Sequence, residues 1–170
     1  MRALMPDEKA STVMLYTSTM LIRGDIILRE NMRVSIWPRT QGVPNFIHLF
    51  NVNIIQIAGA TPKTYARSET FVPTPSVIGF HLAPPAQEPL DYDSSEVNRK
   101  MEPVHALAGS FEIKAKLRIS TATDFSASLD VMNSPWISLY EADISNPYFQ
   151  QLHVSVPMLL VRPNHILINL

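Results

Sequence analysis

Prolines interrupt this chain at short intervals, and they constrain its fold more than any other residue type does. There are 14 prolines in 170 residues, and few of the gaps between them could hold a long uninterrupted helix. The segments between the prolines are short and rich in Ile, Val, Leu, Thr and aromatic residues, a composition typical of β-strands. The sequence therefore predicts an all-β fold with many turns.

Three segments in the first half of the chain resemble three segments in the second half, in the same order. The aligned pairs, at offsets of 91, 90 and 88 residues (112 − 21, 136 − 46 and 161 − 73), are Leu21–Leu28 with Glu112–Ile119, Phe46–Ile54 with Trp136–Ile144, and Pro73–Leu82 with Val161–Leu170. Apolar and aromatic positions match along most of each pair. Collinear matches at nearly constant offset indicate an internal duplication.

Each copy is predicted to be a small barrel-like unit of about four or five strands with a short helical turn. Residues 111–119 alternate between apolar and charged side chains, which predicts a half-buried strand. The polar connection after this strand is predicted to form a helical turn with Asp124 as its N-cap. The predicted boundaries are an N-terminal extension (1–18), a first unit (19–82), a Pro-rich acidic linker (83–109) and a second unit (110–170), with the two units packed pseudo-symmetrically.

The composition argues against several classes of function. The net charge is −1, so no global field favours nucleic acid or an anionic membrane. The absence of cysteine excludes disulfides, thiolate metal sites and a cysteine nucleophile. The five histidines show no metal-ligand spacing, and the chain has neither a Gly-rich phosphate loop nor a G-x-S-x-G motif. We therefore expect a non-catalytic protein without a metal or cofactor.

The first residues predict neither a signal peptide nor a membrane span. Asp7, Glu8 and Lys9 precede the first apolar run, and Tyr, Thr and Ser interrupt the run from Val13 to Ile22. The absence of cysteine is consistent with a reducing compartment. We expect a soluble, cytoplasmic protein.

Apolar strands and one exposed loop are the candidate binding features. The segment around Met158, Leu159 and Leu160 is apolar on both faces, so it needs cover on both sides. Trp37 and Arg39, on either side of a proline, are a candidate loop anchor for a partner. These features predict a scaffold, assembly or regulatory protein. It would act through β-edges and loops, with a protein partner or a second copy of the chain in a homo-oligomer.

Two further segments carry a family resemblance. The segments "LVRPNHILIN" (160–169) and "LDVMNSP" (129–135) resemble the closing motif and the first-motif turn of Sm-like domains. The units are thus similar to tandem small β-barrels of the Sm-like and SH3-like classes. The resemblance implies RNA or single-strand nucleic-acid binding, with Asn133 and Arg162 contacting bases.

Basic residues on strands provide the other candidates for nucleic-acid binding. Arg23 lies on the polar side of one matching segment, and Lys114, Lys116 and Arg118 lie on the polar side of its counterpart. If these side chains cluster, they would favour phosphate binding. A small-ligand-binding β-barrel is the second alternative. It requires a deep pocket with converging polar groups, for which the sequence identifies no residues.

Overall fold

The protein consists of β-strands joined by turns and short helices. The computed structural model describes residues 2–57 and 61–170, and in these it contains ten strands, one α-helix and three 3-10 helices. The predicted all-β class is confirmed. Contacts divide the chain into two compact units, Met1–Pro89 and Leu90–Leu170, which we call unit 1 and unit 2.

Unit 1 is an antiparallel arrangement of five strands in the order β5-β1-β2-β3-β4. Its strands are β1 (Glu8–Tyr16), β2 (Met20–Arg29), β3 (Phe46–Gln56), β4 (Lys63–Pro73) and β5 (Gly79–Leu82). Short 3-10 helices occupy Trp37–Arg39 and Thr74–Ser76. The second of these turns the chain sharply after β4, so that β5 pairs with β1.

Unit 2 has the same arrangement, in the order β10-β6-β7-β8-β9. Its strands are β6 (Arg99–Ala108), β7 (Phe111–Ser120), β8 (Ile137–Ser145), β9 (His153–Val161) and β10 (Ile166–Asn169). Helix α1 (Phe125–Asp130) lies between β7 and β8, and a 3-10 helix (Pro163–His165) precedes β10. The Asp124 carboxylate accepts a hydrogen bond from the Ala127 amide at 2.8 Å, so the predicted helical turn and its N-cap are confirmed.

Both units have an irregularity at the same point of the sheet. The register between β2 and β3 shifts around Gly24, and the register between β7 and β8 shifts around Ala115. Opposite these sites, a non-glycine residue has a positive φ in each unit, Asn51 at 50° and Glu141 at 48°. A β-bulge bends the strand that carries it, so both sheets curve at equivalent places.

The strand pairs also test the predicted barrels. Among the described pairs, none joins β4 to β5 or β9 to β10, so the predicted barrel closure is not seen in either unit. Shared strand order and matching bulges agree with the sequence alignment. The duplication itself stays a prediction.

Two segments differ from the prediction. The segment 1–18, predicted to be an extension, contains β1, which pairs with both β2 and β5. The segment 83–109, predicted to be a linker, contains β6, which pairs with β7 and β10. Each of these strands therefore has a paired neighbour on both sides in its unit. Pro103 and the charged start of β6 obscured the second strand in the sequence.

A buried polar pair lies between β1 and β5 in unit 1. Tyr16 and His81 are 2% and 3% exposed. His81 Nδ1 lies 2.8 Å from the Leu82 carbonyl oxygen, which can only accept, so Nδ1 carries the proton. The neutral Nε2 then accepts a hydrogen bond from the Tyr16 hydroxyl at 2.9 Å. Burial raises the pKa of Tyr16 and lowers the pKa of His81 to about 4, against a smaller opposing effect of the Leu82 carbonyl.

Candidate interaction surface

The β3–β4 hairpin of unit 1 exposes aromatic rings on one side of its sheet. Along β3, Ile47 and Leu49 point into the core, while Phe46, His48 and Phe50 alternate with them. Phe71 lies directly across from His48 on β4. We call Phe46, His48, Phe50 and Phe71 the aromatic face; Phe46 and Phe71 are its exposed members, whereas Phe50 is only 6% exposed.

Ring contacts join three residues of this face, His48, Phe50 and Phe71. The His48 ring is stacked on Phe71 with centroids 4.2 Å apart and lies 4.3 Å from the Phe50 ring. Phe46 is 54% exposed and Phe71 is 59% exposed, although each is a large apolar side chain. Ordered apolar side chains that remain exposed together are typical of a binding surface.

A pocket of about 320 Å³ lies beside the aromatic face, lined by Arg2, His48, Phe50, Ser68 and Glu69. Its charged groups already have partners. The Glu69 carboxylate lies 2.5 Å from His48 Nε2, and Arg2 donates two hydrogen bonds to Glu8, at 2.6 and 2.7 Å. Bonds from Arg2 and from the Met5 amide lower the pKa of Glu8 to about 2. The pocket therefore offers ring surface more than free charge.

Strand β4 provides a backbone edge beside these rings. Among the described strand pairs, β4 pairs only with β3, and it is the last strand in the order of its unit. Most of its 11 residues are exposed, with Val72 the buried exception. The edge of such a strand presents unpaired N–H and C=O groups to which an extended chain can add.

The loop with Trp37 and Arg39 has a structural role in unit 1. The Trp37 ring packs against the buried Phe80 ring with centroids 5.8 Å apart, and Pro38 of the same loop is buried. The Glu88 carboxylate accepts hydrogen bonds from the Val34 and Ser35 amides at 2.7 and 3.0 Å. Trp37 and Arg39 are both half-buried. The loop therefore covers part of the core of unit 1. The predicted contact of Trp37 and Arg39 with a partner stays a prediction.

The predicted apolar anchors on β9 are largely buried. Leu159 and Leu160 are each 1% exposed, while Met158 is half-buried. Of these three residues, only Met158 has side-chain surface to offer a partner.

The predicted basic residues lie in different settings. Lys114, Lys116 and Arg118 share one face of β7, whereas Arg23 is exposed on β2 of unit 1. Lys116 pairs with Glu141 at 2.6 Å. Arg118 pairs with Glu96 at 2.7 Å, with its guanidinium 4.7 Å from the centre of the Tyr92 ring. These acidic partners reduce the positive charge that β7 could offer to phosphate.

The two residues suggested by the Sm-like resemblance lie in separate loops of unit 2. Asn133 is exposed in the connection after α1, and Arg162 follows β9. The Arg162 guanidinium lies 4.5 Å from the centre of the Trp136 ring, and partial burial lowers the pKa of Arg162. Trp136 is only 3% exposed, so its ring is not available for stacking on a base.

Sequence reasoning missed a polar clamp in unit 2. The acidic stretch around Asp91 reads as a solvated loop, yet its carboxylate accepts hydrogen bonds from Ser138 Oγ at 2.6 Å and the Tyr140 hydroxyl at 2.7 Å. Tyr92 packs edge-on against Tyr140, with centroids 4.9 Å apart. The segment thus covers the outer side of β8. No local pattern could reveal this, because the donors lie 47 and 49 residues away.

We expect Asp91→Asn to destabilise the protein by about 2 kcal/mol. The asparagine amide is neutral and has one acceptor oxygen, so the two partly buried hydroxyl groups, of Ser138 and Tyr140, can no longer both donate to a charged carboxylate. Chemical denaturation of the purified chain measures the change. Asp130→Asn, at the exposed end of α1, is the matched control and should be nearly neutral. Equal stability of the two variants would show that the clamp contributes nothing.

The described residues contain no group of three His, Cys, Asp or Glu side chains placed to hold a metal ion. None of the helices in that part of the chain has the length and hydrophobicity needed to cross a bilayer. No protein-family model matches the sequence, and neither curated proteins nor solved structures gave a match.

Proposed function

We propose that this chain is a non-catalytic assembly or regulatory module that binds protein through the β3–β4 hairpin of unit 1. The observation that carries the proposal is the combination of the aromatic face and the β4 edge on one hairpin. Phe71 lies on the edge strand β4 and is 59% exposed, and Phe46 lies on the neighbouring strand β3 and is 54% exposed. A partner strand added to β4 would gain backbone hydrogen bonds while its side chains cover the rings.

Site-specific photo-crosslinking tests this proposal. We expect a benzophenone amino acid at Phe71 to form a protein crosslink in the cell that makes the protein. The same probe at Val131, which is 73% exposed in unit 2, is the matched control and should not. Crosslinking at Val131 alone would place the binding surface elsewhere. Equal crosslinking at both positions would mean that there is no specific binding surface on the hairpin.

Nucleic-acid binding through Asn133 and Arg162 is the second candidate. The contact of Arg162 with Trp136 favours it, because the contact fixes a cationic group at the start of the turn into β10. The ion pairs of Lys116 and Arg118 weigh against it. Nuclease-sensitive material that copurifies with the wild type, and is lost in Asn133→Ala and Arg162→Ala, would promote this candidate above protein binding.

A small-ligand-binding protein is supported less well. The pocket beside the aromatic face, at about 320 Å³, lies at the lower end of the range for ligand sites, and its charged groups are already paired.

A further inference from the structure

The fourth strand is mostly exposed in unit 1, whereas in unit 2 its last three residues are buried. The register of each hairpin makes Phe71 on β4 the counterpart of Leu160 on β9, because each lies across from corresponding residues, His48 and Ser138. Phe71 is 59% exposed, whereas Leu160 is 1% exposed. The side chain at this position of the unit is therefore exposed in unit 1 and buried in unit 2.

The fifth strand shows the opposite pattern. Phe80 on β5 pairs with Leu15, and Ile168 on β10 pairs with the corresponding Ala106. Phe80 is fully buried and its neighbour His81 is 3% exposed. In β10, Ile168 is half-buried and the neighbouring Asn169 is exposed.

Each chain thus has one exposed fourth strand, β4 of unit 1, and one exposed fifth strand, β10 of unit 2. Among the described strand pairs, β10 pairs only with β6, so it too ends the order of its unit. Apolar side chains surround it as well. Leu107 and Leu167 lie directly across from each other on β6 and β10 and are 42% and 68% exposed, and Leu170 is 78% exposed.

We propose that copies of this chain join head to tail, with β4 of one copy against β10 of the next. This contact would set the leucines around β10 against Phe71 and its neighbours, so that a single interface covers both exposed apolar surfaces. Pairing β4 with β4 would leave Leu107, Leu167 and Leu170 exposed. Because the two edges differ, the contact is heterologous and produces a closed ring or an open filament.

This inference rests on the proposed function, since it uses β4 as the binding edge, but it can fail separately. A wild-type chain that stays monomeric, with Phe71 crosslinked to a different protein, would overturn the head-to-tail contact and keep the proposed function.

Two half-blocked variants provide the test. Phe71→Lys places a charge beside β4, and Leu167→Lys places one on β10. Both side chains are more than half exposed, so both variants should fold, which circular dichroism checks. We expect each variant alone to have the monomer mass of 19.1 kDa by light scattering, and an equimolar mixture to form a two-chain species through the remaining intact edges. Val131→Lys is the matched control and should assemble as the wild type does.

Three results would overturn the inference. If Leu167→Lys alone still formed dimers, β4 would be pairing with itself. If the mixture stayed monomeric while the wild type assembled, other surfaces would be responsible. A wild type that is monomeric over a wide concentration range would exclude a second copy as the partner.

Discussion

Gly24→Val is expected to lower the free energy of unfolding by about 3 kcal/mol, because the bulge of unit 1 has no room for a side chain. A Cβ atom at this position would lie 3.2 Å from Leu49 Cβ, 3.2 Å from the Phe50 carbonyl oxygen and 3.3 Å from Val52 Cγ2. Two of these neighbours are core side chains and one is backbone, so none can move aside cheaply.

The matched control for Gly24→Val is Gly42→Val, where nothing lies within 4 Å of the added Cβ. That substitution should change stability by no more than about 0.5 kcal/mol. Urea denaturation of both variants compares them directly. If the two variants were equally stable, the result would contradict tight packing around Gly24 at the bulge of unit 1.

Unit 2 shows how the same bulge accommodates a methyl group. Ala115 stands where unit 1 has Gly24, and Ala142 stands where unit 1 has Val52. Unit 2 therefore has a larger residue than unit 1 at the first position and a smaller residue than unit 1 at the position across from it. We expect the cost of Gly24→Ala to fall when Val52→Ala is also present, as a double-mutant cycle would measure.

A loss of about 3 kcal/mol of stability is expected from His81 alone as the pH falls from above 6.5 to about 4. Burial lowers the pKa of His81 to about 4 in the folded chain, from an ordinary value of 6.5. Between these values the unfolded chain binds a proton that the folded chain does not. The contribution of His81 is therefore complete above pH 6.5 and is lost as the pH falls towards 4.

The pH dependence is tested with His81→Asn, because asparagine occupies the corresponding position, Asn169, in unit 2. This variant does not titrate at residue 81, so its stability should fall less steeply between pH 6.5 and 4 than that of the wild type. Denaturation curves at several pH values give both slopes. Parallel slopes would mean that His81 is not buried in its neutral form.

The strands with strict alternation were the most predictable part of the fold. Apolar residues of β7 alternate with charged ones, and the structure buries Phe111, Ile113 and Leu117 while exposing Glu112 and Lys114. The N-cap at Asp124 was equally clear, because a short side-chain oxygen before a helical turn has a direct local role. Local periodicity and local hydrogen bonding determine both features.

Strands β1 and β6 were left out of the predicted units, although each pairs with the strand that follows it in the chain, β2 and β7 respectively. Strand β1 pairs with β5, more than sixty positions later, for example Leu15 with Phe80. Strand β6 starts with charged residues and contains Pro103, which weakens its strand signal. Only their second neighbours, β5 and β10, are distant in the chain, and propensity does not report such long-range pairing.

The candidate surface was only partly predictable for a related reason. Phe46, His48 and Phe50 alternate visibly in the sequence, but Ile47 and Leu49 between them are also apolar. Periodicity therefore identified a strand without showing which side faces the core. The acidic stretch around Asp91 was similarly ambiguous, because its contacts with Ser138 and Tyr140 depend on tertiary structure.

The most direct test of self-assembly through the exposed edges is the mass of the purified wild-type chain by size-exclusion chromatography with light scattering, with absorbance read at 260 and 280 nm. We expect a peak at a multiple of 19.1 kDa with the spectrum of protein alone. A 19.1 kDa monomer at every concentration would contradict self-assembly, and a peak with nuclease-sensitive absorbance at 260 nm would favour nucleic-acid binding instead.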